Sequence, residues 1–222
     1  VITGEIAGIT FEGVSFDSQT HHLMVADQPN GPGTLYPDAV TAGRSFGGLA
    51  AVNAGFFTPE GAPLGLVASS GRLAGSWNAV SSLGSGVWYT STTGNTAIAR
   101  RGSFRRPDAS TMRELIQAGP LLVENGRTVS GLESTKTSAR TLILWDGDDQ
   151  WWIGRTSPCT LAALGNAIAT GQLAAWPTRS ALNLDGGRSS DLWISGAVTG
   201  GPMIRRPVWN RPVRNFLVLL PK

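Results

Sequence analysis

The chain has 222 residues, with 18 Lys and Arg against 15 Asp and Glu and a formal net charge of +3. This length supports one substantial core and is short for two full domains, so a single domain over residues 1–222 is expected. Charged residues make up 15% of the chain, against roughly a quarter in average soluble domains, so few ionisable groups are on hand for chemistry. Cys159 stands alone, which excludes an intramolecular disulfide and a cysteine-based zinc site, and the only histidines are the adjacent His21 and His22 in an expected turn, which speaks against a Cys–His nucleophile pair.

Along the chain, glycine-punctuated short strands predominate. Val14 to Phe16 and Leu23 to Val25 flank a turn at Asp17 to His22 and read as a hairpin. Pro-Asn-Gly-Pro-Gly-Thr at 29–34 makes a loop. Strands are predicted at Leu49 to Asn53, Gly65 to Ser69, Gly86 to Thr90, Thr96 to Arg100 and Leu121 to Glu124, then at Thr141 to Trp145, Trp151 to Arg155, Ala181 to Leu184, Asp191 to Ile194 and Asn215 to Leu220. A first helix is predicted over Ser110 to Gln117, capped by Asp108 or Ser110 and stopped by Gly119-Pro120. A second runs from Thr160 to Thr170, where Leu161, Leu164, Ala167 and Ile168 recur at helical spacing and Gly171 closes it. No apolar run reaches the roughly 18 residues a membrane-spanning helix needs. The expected fold class is α+β, with mixed, largely antiparallel β-sheets and a few packed helices.

Two segments carry the chemistry. In Ala181-Leu182-Asn183-Leu184-Asp185-Gly186-Gly187-Arg188-Ser189-Ser190 an apolar strand ends at a carboxylate followed by two glycines, a design that fixes a charge at a sheet rim; an ordinary Asp-Gly turn is the alternative. Ala50-Ala51-Val52-Asn53-Ala54-Gly55-Phe56-Phe57 repeats the design with Asn53. The basic side is almost all arginine, Lys136 and Lys222 being the only lysines, and arginine clamps phosphate or carboxylate oxygens in pairs. Arg100-Arg101 with Arg105-Arg106 lacks interleaved aromatics and reads as a solvated turn, so no nucleic-acid partner is expected. Asp146-Gly147-Asp148-Asp149 reads as a hairpin loop in preference to a calcium site, and no metal ligand is assigned. Trp145, Trp151 and Trp152 follow strand patterns and read as sheet residues, which leaves Trp88 and Trp209 as candidates for stacking on a sugar.

The ordered set Asn53-Ala54-Gly55-Phe56-Phe57, Pro63-Leu64-Gly65-Leu66, Gln117-Ala118-Gly119-Pro120-Leu121-Leu122-Val123, Ala139-Arg140-Thr141 and Asn183-Leu184-Asp185-Gly186-Gly187 resembles the phosphodiester glycosidase family, over residues 49–220 and with residues 1–48 outside the motifs. Two positions depart from many relatives: Thr58, where Asp or His is common, and Arg188, where a third glycine is common. The resemblance implies hydrolysis of the glycosidic C–O bond of a sugar-1-phosphodiester or phosphate-bearing glycan, without a cofactor, although a divalent ion beside Asp185 is compatible with it. A non-catalytic domain that binds carbohydrate or a cell-envelope polymer is the alternative. Phosphate is a good leaving group, so a cationic clamp can replace the second carboxyl group that most glycosidases use. On this reading Asp185 is base, nucleophile or charge stabiliser, Asn53 and Arg140 complete the catalytic set, and Gln117, Gly186, Gly187, Arg188 and Ser189 bind substrate, with Arg140 and Arg188 as the clamp. A secreted or periplasmic location is expected, while the sequence leaves the oligomeric state open.

Overall fold

The computed structural model describes residues 1–104 and 106–222, the side chains of residues 106 and 107 excepted. In chain order the strands are β1 (Ile2–Ile6), β2 (Ile9–Asp17), β3 (His21–Asp27), β4 (Ala50–Asn53), β5 (Val67–Ser69), β6 (Arg72–Ala74), β7 (Gly86–Ser91), β8 (Thr96–Arg100), β9 (Met112–Ala118), β10 (Leu121–Glu124), β11 (Arg127–Thr128), β12 (Thr141–Trp145), β13 (Gln150–Thr156), β14 (Ser180–Asn183), β15 (Leu192–Ile194), β16 (Met203–Arg205) and β17 (Asn215–Pro221). Helix α1 (Ala39–Ser45) lies between β3 and β4, and α2 (Leu161–Thr170) between β13 and β14. The strands form a seven-stranded sheet, β1-β2-β13-β12-β14-β10-β11, and two five-stranded sheets, β16-β15-β4-β17-β3 and β6-β5-β9-β7-β8. The neighbouring strands pair antiparallel.

The three sheets meet on one apolar core. Val14, Ile143, Ile153 and Leu182 from the first sheet pack with Val52, Leu192 and Leu217 from the second and with Trp88 and Ile116 from the third. Helix α2 covers the outer face of the seven-stranded sheet, with Leu164 and Ile168 set among Leu122, Leu142, Leu144 and Trp152. Helix α1 covers the second sheet through Ala39 and Ala42. Both helices start on a side-chain cap that accepts an otherwise orphaned backbone N–H: Asp38 from Thr41 at 2.7 Å, and Thr160 from Ala163 at 3.1 Å.

Most predicted strands stand within a residue or two of their expected bounds, and α2 stands where its spacing and Thr160 place it. The predicted helix over Ser110 to Gln117 is corrected to strand β9, preceded by a 3-10 turn at Arg106–Thr111 that takes up both expected cap residues. Strand β9 is central to its sheet and buried along Glu114 to Ala118, and a strand covered on both faces loses the alternation that distinguishes it from a short helix. The predicted hairpin at Asp17 to His22 is also corrected. Strand β2 pairs with β1 and β13 while β3 pairs with β17, so the turn is a corner at which the chain changes sheets. Helix α1 carries no marked periodicity in its seven residues and went unpredicted. The Asp146 to Asp149 loop is a hairpin turn, closed by Trp145 opposite Trp151. The Arg105 half of the basic cluster lies outside the described residues.

Candidate active site

Strands β4 and β14 belong to different sheets but end side by side, and their backbones are stitched together there. The Asp185 N–H donates to the Ala54 carbonyl at 2.9 Å, and Asn53 Nδ2 donates to the Asp185 carbonyl at 2.6 Å. Asn53 is fully buried, and its Oδ1 accepts from the Thr141 hydroxyl at 2.7 Å and the Asp191 N–H at 3.0 Å. Four segments are thus tied at one amide. Asn53 positions Asp185 and holds it by the backbone, leaving the carboxylate free for other partners.

The Asp185 side chain is 8% exposed. Its Oδ1 accepts from the Gly186 N–H at 2.9 Å, and its Oδ2 faces Arg211 Nη2 at 3.4 Å. Arg211 also donates from Nε to the Ser189 hydroxyl at 2.9 Å, and its guanidinium lies over the Phe57 ring, 4.8 Å from the centroid. Burial pushes the Asp185 carboxyl above its ordinary range and outweighs the opposing pull of Ser189, Arg211 and the Gly186 N–H. Arg211 remains about half exposed, so the pair has one buried and one wet member.

The loop bearing Arg211 is itself pinned. The Arg211 N–H donates to the Arg188 carbonyl at 3.1 Å, Asn210 Nδ2 donates to the same carbonyl at 3.0 Å, and Arg206 reaches Asp191 at 3.2 Å and Asp38 at 3.4 Å. Asp191 is a second buried carboxylate, raised by desolvation; its Oδ2 accepts from the Ala39 N–H at 2.9 Å, and its Oδ1 has no partner among the described residues. Trp209, on the same loop, is 78% exposed.

The structure thus brings Asp185, Asn53, Gly186 and Ser189 together with two residues the sequence did not single out, Thr141 as an anchor and Arg211 as the charge partner. Arg140 lies close by its backbone, since its Cα is 3.6 Å from where a Cβ on Gly186 would stand. Its guanidinium, however, donates to the Cys159 carbonyl at 3.2 Å and the Lys136 carbonyl at 2.9 Å. Arg188 is exposed and donates from Nε to the Trp209 carbonyl at 3.0 Å. Gln117 sits in the third sheet with its amide fully engaged: Oε1 accepts from Leu66 and Asn78, and Nε2 donates to the carbonyls of Asn78 and Gly84.

The two glycines after Asp185 have a packing reason. A Cβ on Gly186 would stand 2.6 Å from the Ala139 carbonyl oxygen, and Gly187 has φ +60° with its N–H donating to that same oxygen at 2.8 Å. They admit the Ala139-Arg140 backbone against the turn, and the turn then aims Asp185. Among the described residues no three His, Cys, Asp or Glu side chains gather as a metal site. Asp146 Oδ1 accepts the Asp148 and Gln150 N–H groups within its own turn.

The fold and site therefore define an antiparallel-sheet protein with a buried carboxylate–arginine pair where two sheets abut. The sequence profile described as phosphodiester glycosidase matches residues 46–220, and the chain belongs to that family. Its structure is similar to the catalytic domain of zebrafish N-acetylglucosamine-1-phosphodiester alpha-N-acetylglucosaminidase, auto-inhibited by its pro-peptide, at 16% identity and TM-score 0.62, covering 98% of this chain and 88% of that one. A hypothetical protein from Synechocystis matches at 17% identity and TM-score 0.64, covering 99% of this chain and 61% of that one. A Burkholderia pseudomallei protein described as exported matches at 16% and 0.58, over 96% and 74%. At these identities the likeness is one of fold. No curated protein matches the chain in sequence.

Proposed function

We propose that the protein is a hydrolase that cleaves the glycosidic C–O bond of a sugar-1-phosphodiester, releasing the free sugar and a phosphate monoester. The Asp185–Arg211 pair carries this reading. In the transition state the anomeric carbon becomes positive and the departing phosphate gains negative charge, and the pair presents the opposite charges in the same order. Such a preorganised pair acts where charge develops and need not reorganise as the bond breaks. Water adds to the anomeric carbon, the C–O electron pair leaves with the phosphate, and the proton released by the water passes to Asp185. Burial of Asp185 strengthens it as that base, because its proton affinity moves towards the working pH. Arg211, stacked on Phe57 and half exposed, turns its free N–H groups to the phosphate. Arg140 and Arg188 support the walls of the site through the carbonyls they hold.

A second reading, a non-catalytic domain for carbohydrate or an envelope polymer, draws on the exposed Trp209 beside the site, since a free indole face binds sugars without turnover. Turnover of a chromogenic sugar-1-phosphodiester, with Asp185→Asn as the control, decides between them. Release of chromophore by the parent but not the variant supports the hydrolase, and saturable binding without release supports the second reading. A location outside the cytoplasm accords with the Burkholderia relative described as exported.

A further inference from the structure

The turn at 207–210, immediately before Arg211, has an apolar tip. The Asn210 N–H donates to the Pro207 carbonyl at 3.0 Å and closes the turn, so Val208 and Trp209 occupy its two central positions. Val208 is 92% exposed and Trp209 78%, and Ile204, just before the turn on β16, is 50% exposed. The backbone is held all the same. Arg188 Nε donates to the Trp209 carbonyl at 3.0 Å, and Asn210 Nδ2 donates to the Arg188 carbonyl at 3.0 Å. A fixed turn that keeps adjacent large apolar side chains in solvent is a surface ready for contact, because little ordering remains to be done on binding.

Cations surround this tip. The chain holds no Asp or Glu from Leu192 to Lys222, and Arg205, Arg206 and Arg211 flank the turn. Those three meet carboxylates brought from elsewhere in the fold. Arg188 and Arg140 do not: each uses its guanidinium on backbone carbonyls and enters no ion pair among the described residues, so one uncompensated charge stands at the turn and another beside Gly186. Asn210 is the one neutral polar side chain in 204–212, and its amide is engaged at both ends, Oδ1 accepting from Arg206 at 2.9 Å and Nδ2 donating to Arg188. Beyond the Trp209 indole N–H, no neutral side-chain group of this segment is free for a sugar hydroxyl, and Val208 and Ile204 give a sugar ring nothing to stack on.

We propose that this face docks on an anionic lipid bilayer, with Val208 and Trp209 entering the headgroup region and the arginines meeting lipid phosphates. An indole favours the boundary between headgroups and acyl chains, an aliphatic side chain is accepted beside it, and each cation near an anionic leaflet adds attraction. The contact is peripheral. Arg211 follows the turn directly and faces Asp185 at 3.4 Å, so docking brings the candidate active site to the membrane surface. The proposal stands whether or not Asp185 supports turnover.

The test is cosedimentation of the full chain with vesicles of phosphatidylcholine, alone or with about 30% phosphatidylglycerol. At about 1 mM lipid, at least about half of the protein should sediment with the anionic vesicles and under about a tenth with the neutral ones. Raising the salt from about 0.05 M to about 0.3 M should weaken binding at least about fivefold. The double change Val208→Ser with Trp209→Ser, at exposed positions, should weaken it at least about tenfold, while Trp209→Phe, which keeps an apolar ring, should retain most of it. Asp185→Asn should bind as the parent does. No sedimentation with the anionic vesicles would overturn the proposal, as would binding that the double variant leaves unchanged. Loss of binding in Asp185→Asn would move the lipid into the active site and overturn it as well. Retention on immobilised phosphomannan that needs Val208 and Trp209, without vesicle binding, would make the occupant a glycan and sink the lipid assignment.

Discussion

Asn53 holds Asp185 through the backbone, donating to its carbonyl at 2.6 Å while remaining completely buried. Two further groups depend on the same amide, the Thr141 hydroxyl and the Asp191 N–H. Asn53→Ala removes three hydrogen bonds and leaves buried polar groups unmet, each costing about 1–3 kcal/mol before relaxation. The expected loss is about 2–4 kcal/mol of folding stability, read from urea unfolding. A loss under about 1 kcal/mol would mean that the four segments are held by other contacts.

Asp185→Asn should leave the fold in place while lowering kcat by at least about a hundredfold. Asparagine keeps an acceptor for the Gly186 N–H, and the folded protein already resists ionisation of this carboxyl, so neutralising it costs little stability. Because burial raises the folded-state pKa above the unfolded value, stability from the protonated form is complete below the unfolded pKa and is lost as pH rises through the folded one. Activity moves the other way: the acid limb of the kcat/KM profile should lie above the ordinary carboxylate value of 3.8. A variant with near-parental turnover removes Asp185 from the chemistry.

Three of the arginines near the site separate by what their guanidinium groups touch. Arg211 faces Asp185, Arg140 holds the Lys136 and Cys159 carbonyls, and Arg188 holds the Trp209 carbonyl. Arg211→Ala should therefore lose about 2–4 kcal/mol of transition-state stabilisation on a phosphodiester, the scale of one preorganised donor, and much less on an aryl glycoside. Arg188→Ala acts only through the loop and should cost about 1 kcal/mol on both substrates. If Arg188→Ala shows the larger selective loss, the phosphate is held on that side of the loop and Arg211 serves Asp185 alone.

The sequence was most legible where a chemical signal and a strand end coincide. Asp185 stands out because it follows an apolar strand and precedes two glycines, and Asn53 because it closes a second such strand; the structure places their backbones in contact. Strands flanked by glycine or proline turns were legible for the same reason. Strand β9 was not, because covered faces erase the alternation on which the distinction from helix rests. Arg211 was not, because Arg-Pro-Val-Trp-Asn-Arg-Pro at 206–212 has no local pattern. Its role arises from Arg206 and Asn210 anchoring the loop to residues far away in the chain. The glycines at 186 and 187 were legible as necessary, but the partner that makes them so is the protein's own backbone at Ala139.

Glu114 offers a test of the electrostatics away from the active site. Its carboxylate accepts from the Val25 N–H at 2.8 Å and the Ser70 N–H at 3.1 Å, and desolvation pushes its pKa to about 7 from 4.5. The folded state thus binds the proton more tightly than the unfolded chain, so the stabilisation is complete below about pH 4.5 and is lost as pH rises through about 7. His22 opposes this trend, since burial lowers its pKa and its contribution is lost as pH falls. Comparing the parent with Glu114→Gln isolates the carboxyl. Glutamine sacrifices one of the two backbone hydrogen bonds, so the variant should be the less stable at pH 5, by about 1–2 kcal/mol. Between pH 5 and pH 8 the parent's advantage should shrink by about 2 kcal/mol as Glu114 ionises in its buried setting. Urea unfolding across that range gives the difference directly, and a gap that stays constant with pH would mean that Glu114 titrates as an ordinary exposed carboxylate.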